Sequence, residues 1–160
     1  MEDSHRKKVM LGQDGNALVQ LVAFNAILFV ILKFISLIYN LNPGGEALFT
    51  SKIFSWLALP AGGDRLLSRP WTVLTYMFSD VELFRFIGNM VWLWGFGYIL
   101  QDMMGNRRLV PLYLYGGVVA AAFYILSYSF LHGLKAGAPL ASLAGANASV
   151  MAIAIATTTL

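Results

Sequence analysis

Cysteine is absent from this chain of 160 residues. The absence excludes disulfides and thiolate metal sites and leaves the redox compartment unmarked. Charge is sparse as well. Only 12% of the residues are charged, against about 25% in a soluble domain, while 58% are hydrophobic, against about 45–50%. The mean hydropathy is +0.67. That apolar excess is too large for one soluble core of this size, so a lipid bilayer is the expected environment. The net charge of +3 comes from dispersed basic residues and forms no stripe, which argues against nucleic acid as a partner. No metal and no organic cofactor is expected.

Long apolar runs are what the chain does have. Four follow one another: Ala17 to Asn40, about Leu83 to Leu100, Leu109 to Phe130, and the stretch from Leu143 to Leu160. Crossing roughly 30 Å of hydrocarbon takes about 20 helical residues at 1.5 Å each, which the first and third runs supply easily. The first is too long for the apolar part of a signal peptide and has no small-residue cleavage site after it, so it reads as a retained helix. Lys33 within it is read as a snorkelling side chain. The expected fold class is therefore all-α, a polytopic membrane bundle with four transmembrane helices.

Basic residues set the expected orientation. Arg6, Lys7 and Lys8 precede the first helix, in a basic tail over 1–16, and Arg107 and Arg108 sit between the second and third. Both are expected on the cytoplasmic side, which places the N-terminus there in a multi-pass protein of the cell membrane. The loop from Leu41 to Glu82 and the link holding His132 and Lys135 then face outward. Within that loop, "EALFTSKIFSWLALP" has apolar residues at roughly helical spacing, and Trp56 and Trp71 carry rings suited to the headgroup region. It reads as an interfacial segment between the first two membrane helices, its apolar face dipped into lipid. The other reading is a small helix packed on the bundle.

Small and polar residues complete the pattern. Ala144, Ala148, Ala152 and Ala156 repeat every four residues, and Gly116, Gly117 and Ala120 to Ala122 offer an opposing surface for close helix packing. Asn89 lies four residues after Arg85, so both project from one helical face. An amide and a guanidinium are costly in hydrocarbon and should face a wet cavity or a partner. Asn89 is read either so or as an interhelical hydrogen bond, and Arg85 either so or as an interfacial snorkelling charge. "GANASVMAI" at 145–153 opens on Gly145 and places Asn147 and Ser149 two residues apart.

"RPWTVLTYMF" at 69–78, "FRFIGNMVWLWGFGYIL" at 84–100 and "GANASVMAI" at 145–153, in that order and spacing, resemble the rhomboid family of intramembrane serine proteases. The resemblance implies a six-helix core and a wet cavity opening outward. It implies a serine at the start of the fourth helix as nucleophile, a histidine on the sixth as base, and a histidine and an asparagine on the second on the oxyanion side. It makes 17–160 a rhomboid-like membrane domain lacking the family's last two helices. Its partners would be the bilayer and the transmembrane segments of other proteins. Such chemistry needs a nucleophile with a neighbouring base and donors aimed at the oxyanion.

The chain departs from that pattern. Gly145 matches the helix-entrance glycine, but Asn147 stands at the nucleophile position, and an amide nitrogen is no nucleophile. It is expected instead to cap the helix. Ser149 is roughly 200° further around a helix and would substitute only after a register shift. Asn89 matches the family asparagine, whereas Arg85 replaces the histidine; it can still donate to an oxyanion or pair with Asp80 or Glu82. The only histidines are His5 and His132. Asn89 and Asn147 are expected to approach one another across a polar cavity, while Asn16 falls in the polar tail. Three readings follow: a truncated form of a serine-type endopeptidase; an inactive relative that binds transmembrane segments; and a structural or assembly subunit.

Overall fold

The computed structural model describes residues 16–61, 63–130 and 141–159. Seven α-helices occur among them: α1 Ala17–Asn40, α2 Gly45–Lys52, α3 Gly63–Ser68, α4 Thr72–Thr75, α5 Leu83–Met104, α6 Leu109–Phe130 and α7 Asn147–Thr158. Two residues on each side make a small antiparallel ribbon, β1 Leu59–Pro60 and β2 Ser142–Leu143, with Leu59 opposite Leu143 and Pro60 opposite Ser142. The basic cluster at Arg6 to Lys8, both histidines and Lys135 lie outside the described residues.

Three helices, α1, α5 and α6, are long and apolar enough to cross a membrane. The bounds of α1 and α6 coincide with the apolar runs, because a lipid-embedded backbone must satisfy its own hydrogen bonds and helix continues as far as the hydrocarbon does. Pro111 is tolerated in the first turn of α6, where its missing N–H leaves no bond broken. Gly105, at φ +84°, ends α5, and a single 3₁₀ turn, Asn106–Arg108, leads into α6. The fourth apolar run differs from expectation. Its first residues are spent on β2 and a turn, and α7 has 12 residues, about 18 Å of helix.

α7 packs against both α5 and α6. The small residues make the α6 contact possible: a Cβ placed on Gly116 would collide with that of Ala152. Ala148 and Ala152 therefore lie against the α6 glycines as their spacing predicts. The other face of α7 buries Val150 and Ile153 in a core shared with Leu93, Leu100 and Tyr113. Polar ties cross this core. The Tyr113 hydroxyl shares its one proton between Asn25 Oδ1 and the Met77 carbonyl, both at 3.2 Å, joining α6 to α1 and to the outer loop.

The segment between α1 and α5 is folded rather than extended. α2 ends at Lys52, a 3₁₀ turn covers Phe54–Trp56, and α4 runs into another at Tyr76–Phe78. Trp56 and Trp71 stack at 6.0 Å, with the Arg69 guanidinium 4.1 Å from the Trp56 ring centre. Thr75 Oγ1 donates to the Leu57 carbonyl at 2.9 Å. Through β1 and β2 this loop is tied to the chain just ahead of α7, so it helps to place the α7 entrance.

Candidate functional site

The α7 entrance is assembled from three distant segments. Gly145 has φ +104°, a conformation that suits only glycine, and its N–H donates to the Tyr76 carbonyl at 2.7 Å. Burial pushes the Tyr76 phenol up to about 12, and its hydroxyl donates to the Gly117 carbonyl at 2.7 Å. The 3₁₀ turn at 76–78 thus holds the entrance from one side and α6 from the other.

Asp80 stands at the centre. Its carboxylate is almost fully buried and accepts three hydrogen bonds: Arg85 Nε to Oδ1 at 2.7 Å, Asn89 Nδ2 to Oδ2 at 2.9 Å, and the Ala146 N–H to Oδ2 at 3.3 Å. Arg85 Nη1 also lies 3.6 Å from Glu82 Oε2. A methyl group on Gly145 would come within 2.8 Å of Asp80 Oδ1, so the glycine is required for the carboxylate to reach the helix end. A negative charge beside the N-terminus of a helix is well placed for the helix dipole, and three charge-assisted bonds anchor it there.

The residues singled out by sequence are thus partly brought together. Arg85, Asn89 and the Gly145–Ala146 turn meet on one carboxylate. Asn147 does not join them. It is the first helical residue and is exposed, and Ala146 occupies the cap position with no side-chain cap bond. The expected capping by Asn147 is therefore corrected: the acceptor at this helix end comes from Asp80, 66 residues earlier in the chain. Asn89 is buried and donates its amide to Asp80 Oδ2, which also accepts the Ala146 N–H beside Asn147; no direct hydrogen bond joins Asn89 to Asn147 among the described residues.

Ser149 is sealed in. Its relative exposure is 1%, and its hydroxyl faces α6, where a methyl on Gly117 would come within 2.7 Å of Oγ. The hydroxyl has no hydrogen-bond partner among the described residues. Asn147 and Ser149 therefore point to different surroundings, one to the outside and one into the packed seam, as the angle between them on a helix requires.

Sequence reasoning gave Asp80 only as one candidate partner of Arg85. The available signal was a pair of acids, Asp80 and Glu82, five and three residues before an arginine at the start of an apolar run. It also placed Asn16 in a tail, whereas Asn16 caps α1, accepting from the N–H groups of Leu18 and Val19 at 3.1 and 3.3 Å. Among the described residues no group of three or more His, Cys, Asp or Glu is placed to hold a metal ion.

No curated protein and no solved structure matches the chain. The family model described as Rhomboid domain does match, over residues 67–160, more than half of the chain. That range contains the end of the outer loop, all of α5 and α6, and the α7 entrance with the carboxylate that joins them. By that match, the chain belongs to the rhomboid family.

Proposed function

We propose that this protein is a non-catalytic rhomboid-family member that engages transmembrane segments of other proteins in the cell membrane. The observation that carries the reading is the Asp80 carboxylate on Arg85, Asn89 and the Ala146 N–H. By the family resemblance these are the oxyanion-side groups and the entrance to the nucleophile's helix. The N–H groups bonded to the buried carboxylate are turned to it and are not free for another anion. A second negative charge developing beside it would be repelled rather than stabilised. Asn147 at the nucleophile position supplies no hydroxyl, and Ser149 supplies one that nothing outside the seam can reach. The α5 face bearing Phe84, Ile87, Val91 and Trp92 is exposed beside this entrance and offers apolar surface to a neighbouring helix.

The full chain, reconstituted with a general rhomboid substrate and a fluorophosphonate probe, should give neither cleavage nor label. Labelling of Ser149, or cleavage of the substrate, would restore the endopeptidase reading that the resemblance implies. Restoring serine at Asn147 should leave the protein inactive while Asp80 remains.

The same reading puts the N-terminus and the exposed Arg107 and Arg108 on the cytoplasmic side, and the outer loop on the other. The absence of native cysteine makes the test direct. Single cysteines at Lys52 and Arg107 should label from opposite sides of the membrane, and same-side labelling would sink this orientation.

A further inference from the structure

An open cleft of about 960 Å³ lies in the outer loop, away from Asp80, between α2 and the end of α3. It is walled by Glu46 and Ser51 on one side and by Arg65, Ser68 and Arg69 on the other, with Ser55 between them. We propose that this cleft binds the headgroup of a bilayer phospholipid carrying a primary ammonium, a phosphoethanolamine, with its phosphate on Arg69 and its ammonium on the Glu46–Ser51 wall. The inference stands whether or not the protein cleaves anything.

The phosphate side rests on how Arg69 is held. Its Nη1 donates to the Ser55 carbonyl at 2.9 Å and approaches Ser55 Oγ at 3.4 Å, and its guanidinium stacks on Trp56. These contacts fix the plane of the fork and leave the Nε–Nη2 edge without a hydrogen bond among the described residues. A planar edge with two parallel N–H groups matches two oxygens of a phosphate. Arg65 already has a partner of its own, so Arg69 is the assigned ligand.

The ammonium side rests on acceptors. Ser51, and Ser68 from across the cleft, give their hydroxyl protons to the carbonyls of Leu48 and Arg65, at 3.2 and 2.8 Å. What they present to the cleft is therefore lone pairs. Glu46 has no ion pair and no hydrogen bond among the described residues. A charged acceptor, neutral acceptors and an arginine edge in one cleft complement a zwitterion better than an anion.

Location supplies the lipid. The loop joins the last residue of α1 to the first of α5, two membrane-spanning helices, so it lies at one membrane face. Trp56 and Trp71 are about half exposed there, where such rings mark headgroup depth, and Leu48 on α2 and Leu67 on α3 are exposed apolar side chains of the two helices that flank the cleft.

Native mass spectrometry of the full chain, exchanged into phosphatidylethanolamine, phosphatidylcholine or phosphatidylglycerol with the same acyl chains, tests this. Ethanolamine adducts should survive about tenfold better than the other two, the factor expected for about 1.4 kcal/mol of added hydrogen bonding. Arg69→Gln should weaken retention of all three lipids. Glu46→Gln touches no contact within the fold, and it should erase the preference for ethanolamine over choline while raising retention of the glycerol lipid. If Arg69→Gln fails to fold, Glu46→Gln alone decides. Equal retention of the three lipids, or a preference unchanged by Glu46→Gln, would overturn the proposal.

Discussion

At the Leu83 end of α5, one carboxylate gathers a guanidinium, an amide and a backbone N–H from α5 and the α7 entrance. At the Met104 end, about 33 Å away along the helix, amides do similar work without charge. Gln101 Nε2 donates to Asn106 Oδ1 at 2.7 Å and to Asn16 Oδ1 at 3.1 Å, and Asn106 Oδ1 also accepts the Ala17 N–H. Both clusters fasten a helix start to a segment far away in sequence. They differ in what remains when one member is lost. Removing the carboxylate strands a cation and two donors, whereas removing a neutral amide strands donors alone. A charged hub is therefore the more brittle of the two, and a neutral hub tolerates an imperfect fit. Gln101 Oε1 is buried there without a hydrogen-bond partner among the described residues.

That contrast can be broken by mutation. Asp80→Ala should have the largest effect, about 3 kcal/mol. This is the low end for breaking a buried pair, because Arg85 remains one-third exposed and can turn to water. Urea or SDS unfolding in mild detergent would measure it, and a loss below about 1 kcal/mol would mean the carboxylate is not the hub. Gly145→Ala comes next, at about 2 kcal/mol. It forces a non-glycine residue to φ +104° and drives a methyl into the Asp80 carboxylate. Its effect should shrink markedly in an Asp80→Ala background, and strict additivity in that double-mutant cycle would separate the two residues.

At the neutral end the effects should be smaller. Asn106→Ala leaves the Ala17 N–H and one Gln101 donor unpaired, and should cost about 1–2 kcal/mol. Gln101→Leu removes its stranded Oε1 together with its donors, so the same unfolding assay should register less than about 1 kcal/mol. If Gln101→Leu proved as damaging as Asp80→Ala, the distinction between charged and neutral hubs would fail.

The smallest expected signal is a pH dependence at Tyr76, whose carbonyl accepts from Gly145. Burial raises its phenol from 10.0 to about 12, so the fold favours the neutral form. Its contribution is fully present below pH 10 and is lost as pH rises from 10 toward about 12. Unfolding midpoints followed over that window should fall more steeply for the native chain than for Tyr76→Phe. Parallel curves would remove Tyr76 from the account.

The Asn16 result shows how the sequence misled. An asparagine just ahead of an apolar run carries a cap signal, yet the basic tail before it drew Asn16 into the tail. Asn147 carried the same signal and the reverse error followed. There the chain turns one residue earlier than an asparagine cap would need, because Gly145 and Ala146 are held by Tyr76 and Asp80.

By itself the sequence determined what depends on near neighbours and on solvent. The bounds of α1 and α6 follow from runs of apolar residues whose backbone has no water to bond. The close approach of α6 and α7 follows from glycines and alanines spaced to share a face. Only the tertiary structure decided which polar groups meet. Asp80 reaches Ala146 across 66 residues, Ala17 reaches Asn106 across 89, and β1 finds β2 from the far side of two membrane helices. The reason is physical. A buried donor must find an acceptor, but local pattern says only that it needs one, and the packing of distant segments determines which one lies within hydrogen-bonding distance.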